Sequence, residues 1–208
     1  KIAHVLRHRI GLNLIKDRLK NAQARRSIGQ SLEENFPNDR FKGAFRNIDH
    51  HLAHLASTFY ASPYEESAIV SVDGFGDFAS GCWGIGSNSD ILVKGSIYYP
   101  HSLGVFYQAI TQFIGFPNYG DEYKVMGLAP YGKPKYLEQM KEIVLLQPDG
   151  SYKLNLDYFI FHKQKVEYEW ENGSPSVGRL YSESLLNLLG AAREQKENVT
   201  QFHKDIAC

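Results

Sequence analysis

A chain of 208 residues with 43% hydrophobic content is long enough for one large domain, or one domain and an appendage, around an ordinary soluble core. Lys and Arg together number 23, as do Asp and Glu, so charge gives no case for a nucleic-acid or anionic-membrane partner. Two cysteines, Cys82 and Cys208, are too few for a disulfide framework, and no apolar run has the length of a membrane span; a reducing, cytoplasmic setting is expected.

Residues 1–30 hold Lys1, Arg7, Arg9, Lys16, Arg18, Lys20, Arg25 and Arg26 against the single acid Asp17, which predicts a solvated helix with a broad polar face. A polar connection over 35–45 leads into a short strand expected at Phe45 to Ile48. A helix then starts behind Asp49, a residue type that caps free amides. Its first turns carry His50-His51-Leu52-Ala53-His54, Ala53, Ala56 and Phe59 are expected on its inner face, and Ser62-Pro63 ends it.

Residues four apart on a helix project from one face, so His50 and His54 can offer two imidazoles to one ion. The apolar run Ala68-Ile69-Val70-Ser71-Val72 reads as a short buried strand, and Asp73 closing it could supply a third ligand. Two histidines and a carboxylate suit a divalent ion such as iron, zinc or manganese and leave coordination positions open. On spacing alone, an exposed or core-satisfied histidine pair is the competing interpretation.

Three strands are expected in succession, Ser67 to Val72, Gly81 to Gly86 and Ile91 to Ile97, joined by turns at Gly74-Phe75-Gly76-Asp77 and Ser87-Asn88-Ser89-Asp90. Residues 102–115 follow with Leu103, Phe106, Tyr107, Ile110, Phe113 and Ile114 at helical spacing, Ser102 as a cap and Gly115 as a stop. Such a meander followed by a helix, in an α/β chain with a mixed sheet, resembles the start of an actin-like, ribonuclease-H-like ATPase fold. Residues 117–135 read as a long Gly, Pro and Tyr-rich loop, and a loop of that length is usually functional. Beyond it come a helix over 136–146, a turn at Pro148-Asp149-Gly150, and an extended aromatic stretch from Tyr152 to Phe161, with Tyr152, Tyr158, Phe159 and Phe161 expected in the core. A polar insertion over 163–178 and a helix from Leu180 to Leu189, closed by Gly190, complete the pattern. The divisions are thus a lead-in over 1–44, a motif-bearing core over 45–135 and an extension over 136–208. The absence of an initiator Met and the stop within an incipient helix at Asp205-Ile206-Ala207-Cys208 read as a fragment.

Four stretches in order resemble the O-carbamoyltransferases of the nodulation and antibiotic type: Asp49 to Tyr60, Val70 to Asp77, Pro100 to Tyr107, and Gly120 to Gly132. The His-His-x-Ala-His motif also looks like that of hydrogenase-maturation carbamoyltransferases, and its spaced histidines resemble those of a tRNA threonylcarbamoyl-transfer subunit. The resemblance implies that carbamoyl phosphate and ATP give a carbamoyl adenylate, whose carbamoyl group passes to a hydroxyl of a sugar-like or antibiotic-like acceptor. It implies a metal on His50, His54 and Asp73, with iron foremost. It also implies an adenylate-forming domain and a further aspartate ligand outside these residues, so the 208-residue polypeptide alone is expected not to turn over.

Within that resemblance, Gly74 and Gly76 let amides approach a phosphate, or serve only a turn. Ser102, Leu103 and Gly104 open a helix whose amides could meet an anion, or form an ordinary cap. Lys124 could neutralise a phosphate or contact the acceptor, Glu122 could hold Lys124 or take the acceptor's proton, and His51 either packs or touches substrate; loop bracing is the alternative for Glu122 and Lys124. The competing functions are a kinase or hydrolase of the actin-like superfamily and a non-catalytic nucleotide- or metal-binding module.

Overall fold

The computed structural model describes residues 28–38, 42–170 and 173–208. The expected basic helix over 1–30 lies outside the described residues as far as residue 27. The chain forms two compact units, Lys1–Asp49 and His50–Cys208. In the first, helix α1 spans Ile28–Asn35, and the ring of Phe45 lies 3.1 Å from where a Cβ on Gly29 would stand. The strand expected at 45–48 does not form: Phe45 and Ile48 are exposed, with no strand pairing to them among the described residues.

The second unit opens with α2 (His50–Phe59), followed by the antiparallel meander β1 (Glu66–Gly76), β2 (Ala79–Ser87) and β3 (Asp90–Tyr98). Residues 51, 55 and 59 share one helical face, and His51, Leu55 and Phe59 are buried while Ala53 is exposed. Phe59 is on the inner face as expected, but His51 and Leu55 take the place expected for Ala53, since the bulkier Leu55 buries more apolar area than an alanine would. Leu55 and Phe59 pack with Ile69 and Cys82, and Ile91 lies against this cluster.

Strand β1 alternates rather than being buried throughout. Ile69 and Ser71 face α2, whereas Val70 and Val72 are more than half exposed on the other side. With only one face covered, a strand period of two sends every second residue outward. Asp73 continues the Ile69, Ser71 series, which turns it toward α2. Pairing slips between Val72 and Gly76, since Val72 faces Gly81 but Gly76 faces Ala79. This bulge frees the backbone around Asp73 from the ladder. The reversal falls at Asp77 and Phe78, both with positive φ, rather than across residues 74–77 as expected. The second reversal, at Asn88 and Ser89, agrees with its turn signal.

Helix α3 (Leu103–Phe113) packs on β1, capped by Ser102, which accepts the Val105 amide at 3.1 Å. The segment expected to be a loop contains α4 (Glu122–Leu128) and a 3-10 turn at Ala129–Tyr131. Val125 is its buried anchor, and one apolar contact per two turns leaves too little periodicity to announce a helix. Helix α5 (Leu137–Ile143) runs directly into β4 (Val144–Leu146), which pairs with β5 (Tyr152–Leu154) across the expected turn. The polar insertion holds a short hairpin, β6 (Tyr168–Glu169) with β7 (Ser176–Val177). Helices α6 (Glu183–Leu189) and α7 (Gln201–Ala207) complete the unit, with Phe159 and Phe161 in the core as expected.

Asp205 on α7 is 3% exposed and holds the 133–135 segment. It accepts the Lys133 amide at 3.0 Å and Gln201 Nε2 at 2.8 Å, and it pairs with Lys135 Nζ at 2.6 Å. The Lys135 hydrogen bond, then that from Gln201, lowers its carboxyl from 3.8 to about 2 against the opposing effect of burial. A depressed folded value contributes stability above the unfolded value that is lost as pH falls through the folded one. Acid titration should therefore show a stability loss between about pH 4 and about pH 2 that is reduced in Asp205→Asn, measured by urea unfolding at each pH.

Candidate metal centre

Helix α2 meets the carboxyl end of β1 with its first turn, because Leu55 reaches Ile69, His51 reaches Ser71 and His50 reaches Asp73. The His50 amide, one of the free donors of a helix start, donates to Asp77 Oδ2 at 3.2 Å. The His50 ring lies across the Cα of Gly76: a Cβ there would stand 2.0 Å from its Cδ2 and 2.5 Å from its Nε2. Only glycine admits this approach.

The three expected ligands converge. His50 Nε2 lies 2.7 Å from Asp73 Oδ2 and 2.9 Å from His54 Nε2, and His54 Nε2 lies 3.7 Å from Asp73 Oδ2. Ligands about 2.1 Å from an ion stand about 3.0 Å apart in a cis-octahedral arrangement and about 3.4 Å apart in a tetrahedral one. The observed triangle brackets both values. Three donor atoms converge on one point: with each ring hydrogen on Nδ1, the two Nε2 lone pairs and the Asp73 Oδ2 would face a shared cation, and without one the His50 ring donates to Asp73 instead. The donor set therefore fits a borderline divalent ion. The side chains are 39%, 51% and 37% exposed for His50, His54 and Asp73, so solvent or substrate can reach the open side.

Partial burial pushes the Asp73 carboxyl up, but the His50 hydrogen bond, the Gly74 amide and the nearby imidazoles outweigh it and hold it below the usual range. The two oxygens are divided in use. Oδ1 accepts the Gly74 amide at 2.6 Å, and Oδ2 faces the histidines.

The other expected site residues are distributed around this centre. The Gly74 amide is engaged by Asp73, and the Leu103 amide donates to the Tyr152 hydroxyl at 3.1 Å. Ser102 is fully buried, and Gly104 lies against the Asp73-Gly74 backbone. His51 points inward, 1% exposed, with Nδ1 at 2.8 Å from Ser71 Oγ and, among the described residues, no hydrogen-bond partner on Nε2. Lys124 is held by Asp121 at 2.6 Å rather than by Glu122, and lies 5.2 Å from the centre of the Phe116 ring. Glu122 offers its backbone carbonyl to Tyr107 at 3.1 Å. Tyr107 is three residues along α3 from Gly104, so the start of α4 is tethered one helical turn beyond the residue that touches the Asp73-Gly74 backbone.

Sequence reading placed Asp77 at a turn, where its positive φ puts it, but missed its bond to the His50 amide, although turn aspartates accept nearby amides; it also missed the pairing of Asp121 with Lys124. Outside the centre, the bond from Leu103 to Tyr152 had no signal, since it spans 49 residues.

The family described as Carbamoyltransferase N-terminus matches residues 16–206. An uncharacterized protein of Synechocystis is 36% identical over 161 residues, covering 76% of this chain and 24% of that protein. Nodulation protein NolNO of Sinorhizobium fredii is 39% identical over 111 residues, covering 53% of this chain and 16% of the relative. Nodulation protein NolO of Bradyrhizobium diazoefficiens is 40% identical over 111 residues, covering 53% and 20%. The chain spans about a quarter or less of the length of these relatives.

Proposed function

Because the chain belongs to the carbamoyltransferase amino-terminal family, we propose that it is the metal-bearing part of a transferase that places a carbamoyl group on a hydroxyl of a sugar-like acceptor. The observation that carries the metal reading is the convergence of His50, His54 and Asp73, whose ligand atoms all lie within 4.8 Å of one another. The proposal includes carbamoyl phosphate and ATP as sources of a carbamoyl adenylate, an actin-like fold for the complete domain, a cytoplasmic setting, and iron, zinc or manganese as the ion. Among the described residues no helix is long and apolar enough to cross a membrane.

Bound at the triad, a divalent cation supplies Lewis acidity toward the carbamoyl carbonyl. The residues of the chain hold and orient. Asp73 contributes the negative ligand, and its bond to the Gly74 amide keeps Oδ2 free for coordination. Glu122 is the proposed acceptor-side base, carried by a helix start tethered to Tyr107. Lys124, fixed by Asp121, places a positive charge on the same segment. His51 is shielded from solvent, so its part is to set the register of α2 on β1 through Ser71.

The test has two parts. The purified chain should bind one equivalent of Zn(II) or Co(II), and His54→Ala should weaken that binding by about tenfold or more. The full-length protein should then carbamoylate a hydroxyl acceptor with dependence on ATP, carbamoyl phosphate and His54. Metal binding that is absent, or indifferent to His54→Ala, removes the assignment of the centre; carbamoylation that proceeds equally without His54 removes its role in transfer.

A further inference from the structure

We propose that Ser102 is a positioning residue for the metal centre, clasping the peptide that carries Asp73, and not a ligand for phosphate. The inference rests on the metal reading of the triad and extends it to the start of α3. Ser102 is fully buried, and its hydroxyl donates between two carbonyls, that of Gly74 at 2.7 Å and that of Asp73 at 3.1 Å. The same oxygen accepts the Val105 amide at 3.1 Å. A hydroxyl has one hydrogen and two lone pairs, so its donor is spent on β1 and one acceptor site on the helix.

Gly104 closes the clasp from the other side. A Cβ on Gly104 would stand 2.7 Å from Gly74 N and 2.8 Å from Asp73 C and O, so the two chains touch at backbone distance. The bulge has released this part of β1 from its ladder between Val72 and Gly76, and Ser102 and Gly104 supply the restraint that the ladder does not. The consequence runs through the Asp73-Gly74 peptide. Its carbonyl, that of Asp73, lies 3.1 Å from Ser102 Oγ, and its amide, that of Gly74, holds Asp73 Oδ1, so rotation of that peptide would swing Oδ2 away from His50, while the bond from Ser102 to the Gly74 carbonyl restrains the next peptide in line. Partners one bond beyond the ligands set affinity by fixing ligand orientation.

Three variants of the full chain test this: Ser102→Ala, Gly104→Ala and Tyr152→Phe. Tyr152→Phe serves as the control, since it removes a hydrogen bond from the same helix turn, at Leu103, without touching the Asp73-Gly74 peptide. Co(II) titration followed by visible absorption should show affinity lowered about tenfold to a hundredfold, with an altered ligand-field spectrum, in Ser102→Ala and Gly104→Ala. Tyr152→Phe should keep the parent spectrum and affinity. Without metal, hydrogen exchange at the Gly74 amide should quicken about tenfold in Ser102→Ala while core amides in β1 and β2 hold their rates. An unchanged cobalt spectrum and unchanged Gly74 exchange in Ser102→Ala, with only a lowered melting temperature, would reduce Ser102 to a helix cap and overturn the proposal. A parent chain that binds no cobalt defeats the metal reading on which the inference rests, and with it the positioning role.

Discussion

Asp73→Ala is expected to lower the affinity of the chain for Zn(II) or Co(II) by more than about a hundredfold, beyond what loss of an outer partner costs. Asp73 is the one carboxylate of the triad, and its Oδ2 is the atom that both imidazoles face. Removing it leaves two imidazoles whose Nε2 atoms stand 2.9 Å apart without an anionic ligand between them. The fold should survive, because the Asp73 side chain is 37% exposed and, among the described residues, bonds to the two histidines and the neighbouring Gly74 amide. Calorimetric titration measures the affinity. Thermal melting with excess metal gives a second reading, since an ion at about a hundred times its dissociation constant stabilises the parent by about 2.7 kcal/mol. A variant melt that still rises with metal would show that the ion binds elsewhere.

Gly76→Ala is expected to disable the same centre by displacement. The added methyl would meet His50 Cδ2, Cγ and Nε2 at 2.0, 2.2 and 2.5 Å, so the ring has to leave its place. Overpacking of this kind costs about 1–3 kcal/mol, and here the displaced group is also a ligand. Metal affinity should fall together with the urea midpoint. Gly74→Ala provides the comparison: among the described residues nothing beyond its chain neighbours lies within 4 Å of a Cβ at that position, and its stability should change little. Equal behaviour of the two variants, in affinity and in stability, would mean that the His50 ring does not lie over Gly76.

These two glycines mark the limit of what was legible. In the sequence they belong to one Asp73-Gly74-Phe75-Gly76 stretch and invite one explanation, a turn or a phosphate approach. The structure separates them: Gly76 makes room for a ligand's ring, and Gly74 engages the carboxylate beside it. The turn itself lies at Asp77 and Phe78, and Asp77 also receives the His50 amide from 27 residues away. Likewise Ser102 reads correctly as a helix cap, but its second bond, to Gly74, crosses 28 residues.

The sequence by itself determined the features governed by local spacing. The histidines at i and i+4, the three strands of the meander, the helix over Leu103–Phe113 and the family likeness all follow from periods of 3.6 or 2 and from ordered motifs. Tertiary structure alone decided which face each element buries and which atoms meet across it. It put His51 and Leu55 inward rather than Ala53, exposed Val70 and Val72, made a helix of Glu122–Leu128, and set the Asp73 peptide between Ser102 and Gly104. The physical reason is that local periodicity fixes how residues are arrayed along an element, whereas the choice of buried face, the position of a bulge and the partner of a hydroxyl are set by packing energies between segments far apart in the chain.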